Sequence, residues 1–317
     1  MQGLWLENQE LSLRTDLPVP EPGPQEALVQ VRLTGICRTD LELERGYYPY
    51  CGIPGHEFVG TVIRASSSPS LEGRRVVGEI NAVCHDCEFC RRGLPNHCSN
   101  RTVLGIVGRD GALAEYLVLP VENLKEVPTA VSDRSAVFAE PLAAAIQVLQ
   151  QVHIRPTDRV LLIGAGKLGQ LVGRVLHHQT PRLLVKARYP RQVELLESVH
   201  VPCTTDEPPE RSFDIVVEAT GSPSGLETAC RCIRPRGTIV LKSTYAERAE
   251  IDLSRIVVDE VSFVGSRCGP FEPALAMLER GDVQPECLIE RSFPLSEGVA
   301  AFQRARSSAS LKVLVEF

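Results

Sequence analysis

The sequence predicts an α/β protein in which a β-rich domain is joined to a doubly wound parallel-sheet domain. Two patterns favour this fold class. Up to Leu119, apolar and polar residues alternate in short runs that glycine and proline separate, as in the proline-rich loop 18–24. After Ser132, helical stretches alternate with fully apolar runs, which is typical of a parallel sheet covered on both faces. A chain of 317 residues is long enough for two domains that each bury a core.

These patterns predict the elements in order. In the β-rich domain we expect short strands within 1–33 and further strands at 58–63, 75–77 and 114–119. In the second domain we expect helices at 136–152, 168–178, 192–199 and 225–233. The strands between them are expected at 159–163, 182–185, 214–218 and 238–241. A helix at 273–279 and a last strand at 312–317 complete the chain.

Composition and charge exclude several function classes. The chain is 43% hydrophobic and 23% charged, as in ordinary globular proteins, and its formal net charge is -6. A negative balance argues against general binding to nucleic acid or to an anionic membrane, because both need a basic face. Residues 1–17 carry no readable signal or transit peptide, and no run approaches a membrane span, so we expect a cytoplasmic protein.

Four cysteines lie close together in the first domain. Cys84, Cys87, Cys90 and Cys98 are spaced by three, three and eight residues. Thiols at this spacing can surround one tetrahedral zinc ion at about 2.3 Å per bond, and a shell of four thiolates leaves no position for a substrate. We therefore predict a structural zinc in a lobe formed by residues 84–98. Disulfides or four unrelated buried cysteines are the alternatives, but the chain has an odd total of eleven cysteines and no export signal.

A glycine motif follows the first apolar strand of the second domain. Residues 159–169 read Arg-Val-Leu-Leu-Ile-Gly-Ala-Gly-Lys-Leu-Gly, so a G-x-G-x-x-G pattern lies between a predicted strand and a predicted helix. In that context the glycines let the backbone approach a pyrophosphate at the helix N-terminus. The residues predicted to bind the dinucleotide here are Gly164, Gly166, Lys167, Leu168 and Gly169. A glycine-rich turn without a ligand is the alternative.

The end of the next predicted strand indicates which nicotinamide cofactor is preferred. Sites for NAD usually place an acidic residue there to bind the ribose diol, but residues 170–193 contain no Asp or Glu. The expected position is Ala187, and its neighbours Arg188, Tyr189 and Arg191, with Lys186, form a mainly basic group suited to a 2′-phosphate. We therefore predict NADP(H) rather than NAD(H). Solvated surface charges are the alternative explanation. Thr220 and Ser243 follow later strands and are expected to border the cofactor.

Residues 36–57 contain the parts of a second metal site. Cys37 offers a thiolate, Thr39 a hydroxyl, and the adjacent His56 and Glu57 an imidazole and a carboxylate. These groups suit an open zinc site with an exit for a proton. A single Cys and a single His nineteen residues apart are weak evidence on their own.

Taken together, the motifs make the chain resemble the zinc-dependent medium-chain dehydrogenase/reductase family of alcohol and polyol dehydrogenases. The resemblance extends over essentially all 317 residues, in the family's order. It rests on Gly35-Ile-Cys-Arg-Thr-Asp40, Gly55-His-Glu57, the four-cysteine lobe, Ala139-Glu-Pro-Leu142, the glycine motif and the closing Ser310-Leu-Lys-Val313. It implies a GroES-like catalytic domain at 1–138 and 269–317 and a Rossmann domain at 139–268.

The resemblance also implies roles for single residues. Cys37 and His56 would bind the catalytic zinc, Glu140 would occupy the third ligand position as in sorbitol-dehydrogenase-like members, and Glu57 would bind the zinc or lie close to it. Asp40 would orient the histidine ligand. Arg38 and Lys312 match the family's basic contacts to the cofactor pyrophosphate. A carboxylate at the N-terminus of a helix is the alternative explanation for Glu140, and an ordinary surface charge is the alternative for Arg38 and Lys312.

The implied chemistry is hydride transfer. Zinc would lower the pKa of an alcohol, and Thr39 would take the hydroxyl proton. Many family members carry a histidine three residues after this hydroxyl, but the present chain has Glu42. A second departure is Gly73-Arg-Arg-Val76, where the family usually has Gly-Asp-Arg-Val.

We therefore expect an NADP(H)-dependent zinc dehydrogenase that interconverts alcohols or polyols with aldehydes or ketones. Its partners would be two zinc ions per chain and a small-molecule substrate, with no nucleic acid or membrane, and the family suggests a homodimer or homotetramer. A zinc-free double-bond reductase and a non-catalytic scaffold member of the family are the alternatives. The zinc content of the protein would separate these possibilities.

Overall fold

The computed structural model describes residues 1–245, 248–307 and 310–317. This part of the chain divides into two compact units, one made of Met1–Glu140 with Phe271–Phe317 and the other of Pro141–Pro270. Both junctions lie two residues after the boundaries expected from the sequence. Among the described residues, no helix is both long and apolar enough to cross a lipid bilayer.

The described chain contains eighteen strands and ten α-helices. Its strands are β1 (Gly3–Glu7), β2 (Glu10–Arg14), β3 (Glu26–Gly35), β4 (Glu57–Arg64), β5 (Arg75–Gly78), β6 (Asn81–Ala82), β7 (Thr102–Leu104), β8 (Gly108–Arg109), β9 (Tyr116–Pro120), β10 (Leu124–Glu126), β11 (Val160–Ile163), β12 (Leu183–Lys186), β13 (Cys203–Thr204), β14 (Phe213–Glu218), β15 (Ile233–Leu241), β16 (Ser262–Gly265), β17 (Ile289–Pro294) and β18 (Lys312–Glu316). Its α-helices are α1 (Arg38–Glu44), α2 (Glu88–Arg91), α3 (Asp133–Ala136), α4 (Ala139–Gln151), α5 (Lys167–His177), α6 (Pro190–Glu197), α7 (Pro223–Cys232), α8 (Leu253–Val258), α9 (Phe271–Arg280) and α10 (Gly298–Ala305).

The first unit is built on a seven-stranded sheet with β3 near its centre. The strand order is β10-β5-β4-β3-β18-β17, and β9 also pairs with β3. Strand β3 runs antiparallel to β4, β9 and β18. At its last residue, Gly35 lies opposite Glu57 of β4 and Leu314 of β18. The end of β3 therefore brings together residues from three distant parts of the sequence.

Apolar side chains from both segments of the first unit form one core. The cluster includes Leu4, Ile36, Phe302 and Val313, each at most 1% exposed. Full burial of a side chain of this size contributes roughly 1.5–3 kcal/mol to folding. The packing ties the C-terminal segment to the N-terminal strands.

The second unit contains a six-stranded sheet in which every strand pair is parallel. The order is β13-β12-β11-β14-β15-β16. The four residues of central strand β11 are all buried, as expected for a strand covered on both faces. Helix α5 packs on β11 and β12, and α7 packs on β14 and β15. This is the strand order of a Rossmann fold, so the predicted fold class is confirmed.

Two predicted elements were wrong in their extent, and one of them is β15, which begins at Ile233 rather than at residue 238. The helix expected at 136–152 is divided into α3 and α4, with Val137 and Phe138 between them. Pro141 explains the break, because it has no N–H to donate to the carbonyl of Val137 and its ring would clash with that carbonyl in a continuous helix. Within α4, Pro141 lies in the first turn, where a missing N–H costs nothing. The sequence patterns also missed β6, β7, β8, β10, β13, β16, β17, α1, α2, α8 and α10.

The glycine motif provides a test of the second unit's packing. A Cβ on Gly169 would lie 2.0 Å from the backbone oxygen of Gly164, whereas a Cβ on Gly166 meets no atom within 4 Å. We expect Gly169→Ala to lower the free energy of unfolding by about 2–3 kcal/mol through overpacking. The matched change Gly166→Ala should stay within about 0.5 kcal/mol of wild type. Equal stability of the two variants in thermal unfolding would contradict this account.

Candidate active site

Three side chains suited to a metal ion meet in the first unit. The ligand atoms of Cys37, His56 and Glu57 all lie within 4.8 Å of one another, and His56 and Glu57 are buried. Cys37 is the residue before α1, and Glu57 is the first residue of β4. The antiparallel pairing of β3 with β4 is what brings these residues together.

The buried carboxylate of Asp40 organises this group. Its Oδ2 accepts a hydrogen bond of 2.8 Å from the backbone N–H of Cys37, and its Oδ1 accepts one of 3.2 Å from the backbone N–H of Gly55. Nδ1 of His56 lies 3.2 Å from Oδ1 of the same carboxylate, although among the described residues it makes no well-aligned hydrogen bond. With Nδ1 beside Asp40, Nε2 is the nitrogen left for a metal.

The electrostatic surroundings of His56 favour its cation in the absence of a metal. Burial alone lowers the pKa of the imidazole, but the negative charges of Asp40 and Cys37 outweigh burial and raise the pKa well above its ordinary value. A bound cation would meet the same negative surroundings. The donor set therefore fits a divalent ion of borderline softness such as zinc.

Glu57 forms a buried ion pair with Lys312. Nζ of Lys312 donates to Oε2 of Glu57, and their side chains are 4% and 1% exposed. Burial lowers the pKa of Lys312, but the charges of Glu57 and Cys37 raise it above the ordinary value. The ammonium also lies 5.6 Å from the ring centroid of Phe138. A Cβ on Gly35 would lie 2.5 Å from Oε2 of Glu57, so the absence of a side chain there gives the pair its room.

Glu140 lies near this group but is not one of its three members. It is in the first turn of α4, is partly buried, and its charge contributes to the raised pKa of Lys312. Among the described residues, the compact set of ligand atoms contains Cys37, His56 and Glu57 without Glu140. The ligand role expected for Glu140 stays a prediction.

Thr39 and Glu42 lie on α1 beside Cys37. Oγ1 of Thr39 is 3.9 Å from Sγ of Cys37. The Glu42 carboxylate lies 3.3 Å from Nε of Arg38 and 3.1 Å from Nη1 of Arg45. The acid that replaces the family's histidine is therefore an ion-pair partner of two arginines, one of them the predicted pyrophosphate contact.

The four cysteines predicted to bind a structural zinc also lie together. Sγ of Cys87 is 3.5 Å from Sγ of Cys90, and Sγ of Cys84 is 3.4 Å from Sγ of Cys98. All eleven cysteines are free, which disfavours the disulfide alternative. Backbone N–H groups of Cys90 and Ser99 lower the pKa of Cys87 to about 6, which favours the thiolate that a metal needs. Four zinc–sulfur bonds of about 2.3 Å would separate the sulfurs by roughly 3.8 Å, so the thiols fit one ion.

In the second unit, the glycine motif forms the turn from β11 into α5. Gly164 has φ +101°, which disfavours any other residue, and Gly166 is the N-cap of α5 with extended backbone. Lys167 and Leu168 are the first residues of the helix, and Gly169 packs against the Gly164 carbonyl. The first N–H groups of α5 thus begin where the predicted pyrophosphate would bind.

The basic residues after β12 differ in their contacts. Nζ of Lys186 lies 3.0 Å from Glu207, and Nη1 of Arg191 lies 3.0 Å from Glu194. Arg188 is exposed and lies over the ring of Tyr189, with no carboxylate partner among the described residues. Ala187 is buried, and its N–H donates to the carbonyl of Thr204. Arg188 is therefore the basic side chain in this group whose charge is not neutralised by an acid.

A buried carboxylate that the sequence analysis had not assigned a role fixes the end of β14. Oε1 of Glu218 accepts hydrogen bonds from the backbone and hydroxyl of Thr220, and its Oε2 accepts one from the hydroxyl of Tyr245. The side chain is 0% exposed. In the sequence, the only signal for this role of Glu218 was an acidic residue at the end of an apolar strand. Ser243 follows β15, the neighbouring strand, and is half-buried.

Comparisons with known proteins agree with both units. Residues 23–129 match the family described as alcohol dehydrogenase GroES-like domain, and residues 205–280 match the zinc-binding dehydrogenase family. An L-threonine 3-dehydrogenase of Saccharopolyspora erythraea is 31% identical over 96% of this chain and 95% of its own length. A sorbitol dehydrogenase of Halalkalibacterium halodurans is 28% identical over 94% of this chain and 93% of its own length.

Solved structures extend the similarity to the whole fold. A Sinorhizobium meliloti protein assigned as a zinc-binding dehydrogenase and bound to NADP is 27% identical, with a TM-score of 0.92 over 100% of this chain and 99% of that one. An Escherichia coli alcohol dehydrogenase complexed with NADH is 28% identical, with a TM-score of 0.91 over 100% of this chain and 99% of that one. These relatives and cofactor-bound structures support an alcohol or polyol oxidoreductase with a nicotinamide cofactor. The chain belongs to the zinc-dependent medium-chain dehydrogenase/reductase family.

The role of Asp40 can be tested by stability. We expect Asp40→Ala to lower the free energy of unfolding by about 2–4 kcal/mol, because two backbone N–H groups lose a charged acceptor in a buried position. The exposed residue Asp16 is the matched control, and Asp16→Ala should cost less than about 0.5 kcal/mol. Urea-induced unfolding measures both. An equally small effect at the two positions would show that Asp40 does not hold the site together.

Proposed function

We propose that this protein is an NADP(H)-dependent zinc dehydrogenase that interconverts alcohols or polyols with the corresponding aldehydes or ketones. The single observation that carries the proposal is the group formed by the partly buried Cys37 with the buried His56 and Glu57, organised by Asp40, in a chain that also carries a glycine turn suited to a dinucleotide. Two zinc ions per chain are part of the proposal, one at this group and one at the four-thiol lobe. A homo-oligomeric assembly and a cytoplasmic location stay predictions.

In the first unit, some residues would bind the metal ion and others would accept a proton or orient a ligand. Cys37 and His56 would hold the ion, with Glu140 as the proposed third ligand. When bound, zinc supplies a Lewis acid that makes an alcohol more acidic, and the nicotinamide supplies the hydride acceptor. Thr39 would receive the hydroxyl proton at Oγ1. Asp40 would keep His56 oriented throughout.

The zinc content and activity of a cysteine variant test this proposal. We expect wild type to contain two zinc ions per chain and Cys37→Ala to contain one, because the four-thiol lobe keeps its own ligands. The same variant should lose at least 10³-fold in turnover of alcohols or polyols while NADPH still binds. The exposed Cys51 is the matched control, and Cys51→Ala should keep both ions.

Metal analysis, nicotinamide absorbance and NADPH fluorescence give the three measurements, and the absorbance assay is run over a panel of alcohols, polyols and aldehydes. One zinc ion in wild type, located at the four-thiol lobe, would instead support the zinc-free reductase or the scaffold. Loss of NADPH binding in Cys37→Ala would mean that this cysteine serves folding rather than chemistry.

The cofactor preference rests on Arg188. Because Lys186 and Arg191 are paired with acids, Arg188 is the cation with charge to offer a 2′-phosphate. We expect NADPH to bind more tightly than NADH, and Arg188→Ala to weaken NADPH binding about 10–100-fold while changing NADH binding less than about threefold. Arg191→Ala is the matched control and should have a smaller effect. Tighter binding of NADH by wild type in a fluorescence titration would refute the choice of NADP(H).

A further inference from the structure

The carboxyl ends of three neighbouring strands in the second unit lead into turns that pack against one another. A Cβ on Gly164, after β11, would lie 2.8 Å from Cγ2 of Thr220, in the turn after β14. A Cβ on Gly221, in that same turn, would lie 2.8 Å from the backbone oxygen of Thr244, after β15. The turn after β14 is therefore held between the other two, with no room for a side chain at either glycine.

The place of these turns in the sheet indicates which ligand they would meet. The strand order β13-β12-β11-β14-β15-β16 changes direction between β11 and β14, and a doubly wound sheet binds a dinucleotide in the crevice at such a point. Each half of the sheet serves one mononucleotide. The glycine motif and Arg188 follow β11 and β12, on the side proposed for the adenosine phosphate. The turns after β14 and β15 therefore belong to the half left for the nicotinamide nucleotide.

A single buried carboxylate holds the middle turn. Glu218 is the last residue of β14 and is 0% exposed. Its Oε1 accepts hydrogen bonds from the hydroxyl of Thr220 and, at 2.6 Å, from the backbone N–H of the same residue. Its Oε2 accepts a longer one of 3.4 Å from the backbone N–H of Gly221. All of these partners are donors, which suits a carboxylate, because an ionised carboxyl group only accepts.

The same network continues to the start of α7. Oγ1 of Thr220 accepts a hydrogen bond of 3.1 Å from the backbone N–H of Ser222. Ser222 is the N-cap of α7, and its hydroxyl accepts one of 3.2 Å from the backbone N–H of Gly225. A Cβ on Gly225 would lie 2.1 Å from Oγ1 of Thr220 and 2.6 Å from Oε1 of Glu218. The helix thus packs directly on the carboxylate, so the turn cannot shift without loss of hydrogen bonds.

Tyr245 connects the carboxylate to the third turn. Its hydroxyl donates to Oε2 of Glu218, although the two residues are 27 positions apart. Burial and this hydrogen bond both raise the pKa of the Tyr245 phenol, so the hydroxyl keeps the proton that it donates. The preceding residue, Thr244, packs its backbone oxygen against Gly221. Two separate contacts therefore join the turn after β15 to the turn after β14, and the tyrosine hydroxyl makes one of them.

We propose that Glu218 is a positioning residue for the nicotinamide half of the cofactor, and that Tyr245 extends its action to the turn after β15. Because the carboxylate is fully buried, it acts through the turns that it holds and not by contact with a ligand. The inference rests on the proposed dinucleotide site. It concerns the binding of one half of the cofactor, so it can be measured without turnover.

The first test compares each cofactor with its adenosine half by isothermal titration calorimetry. NADPH is paired with adenosine 2′,5′-bisphosphate, and NADH with AMP. We expect Glu218→Gln to weaken cofactor binding at least about tenfold, because one acceptor oxygen becomes a donor that faces other donors. Binding of the adenosine half should stay within about threefold of wild type, because its contacts follow β11 and β12. The exposed Glu227 on α7 is the matched control, and Glu227→Gln should change neither affinity.

The second test removes the tyrosine hydroxyl alone. Tyr245→Phe keeps the ring and its packing, so it also covers the case in which Glu218→Gln does not fold. We expect Tyr245→Phe to weaken cofactor binding about 3–10-fold and to leave binding of the adenosine half unchanged. In Glu218→Gln/Tyr245→Phe the second change should add less than about twofold, because the carboxylate that accepted the hydroxyl proton is already gone. Thermal unfolding checks that each variant is folded at the temperature of the titration.

The outcomes separate this inference from the proposed function. Equal losses for the cofactor and its adenosine half in Glu218→Gln and Tyr245→Phe would show a general disturbance of the unit and overturn the positioning role. Unchanged cofactor affinity in the folded variants would also overturn that role and leave the proposed function standing. A loss in Glu218→Gln alone would overturn the part assigned to Tyr245. A wild-type protein that binds neither NADPH nor NADH would overturn both proposals together.

Discussion

The candidate active site depends on a single carboxylate that is removed from water. Asp40 is 0% exposed and accepts N–H groups from the backbone at Cys37 and Gly55 while it faces the ring of His56. Burying a carboxylate is costly unless such donors surround it, and here they come from the two loops that carry the ligands. The desolvation of one acid is thus offset by contacts that fix the thiol and the imidazole before any ion arrives, which is the preorganisation that a metal site needs.

The two groups of candidate metal ligands in the first unit differ in composition and in how the chain brings them together. The four thiols lie close together in sequence and need only a short helical turn, α2, to meet. Their uniform set would saturate an ion and leave it without a role in chemistry. The second group mixes a thiol, an imidazole and a carboxylate, and the buried Lys312 donates a hydrogen bond to that carboxylate. A mixed set of three donors is typical of zinc sites that keep a fourth position for a substrate.

The parts of this protein that could be predicted from the sequence are those encoded by neighbouring residues. The cysteine lobe and the glycine turn each lie within fifteen residues, and their spacing alone restricts the geometry. The contact of Lys312 with Glu57 joins residues 255 positions apart, and no local pattern reveals it. The break between α3 and α4 was predictable in principle from Pro141, but the apolar run 136–146 obscured it. The pair of Lys186 with Glu207 likewise joins residues on either side of β13, whereas Arg191 and Glu194 form a local i,i+3 pair on α6.

The order of the segments along the chain determines when the contact of Lys312 with Glu57 can form during folding. The first unit is made of two segments, and Pro141–Pro270 forms a separate unit between them. Strand β18 comes from the second segment, yet it pairs with β3 at the residue where Glu57 also pairs. Until β18 has paired with β3, Glu57 lacks its ion-pair partner Lys312, and Gly35 lies opposite Glu57 but not yet opposite Leu314. Because contacts of high sequence separation form late and slowly, the site is completed only when the end of the chain has packed against its beginning. The C-terminal strand β18, which lies between β3 and β17 in the sheet, therefore completes the candidate site.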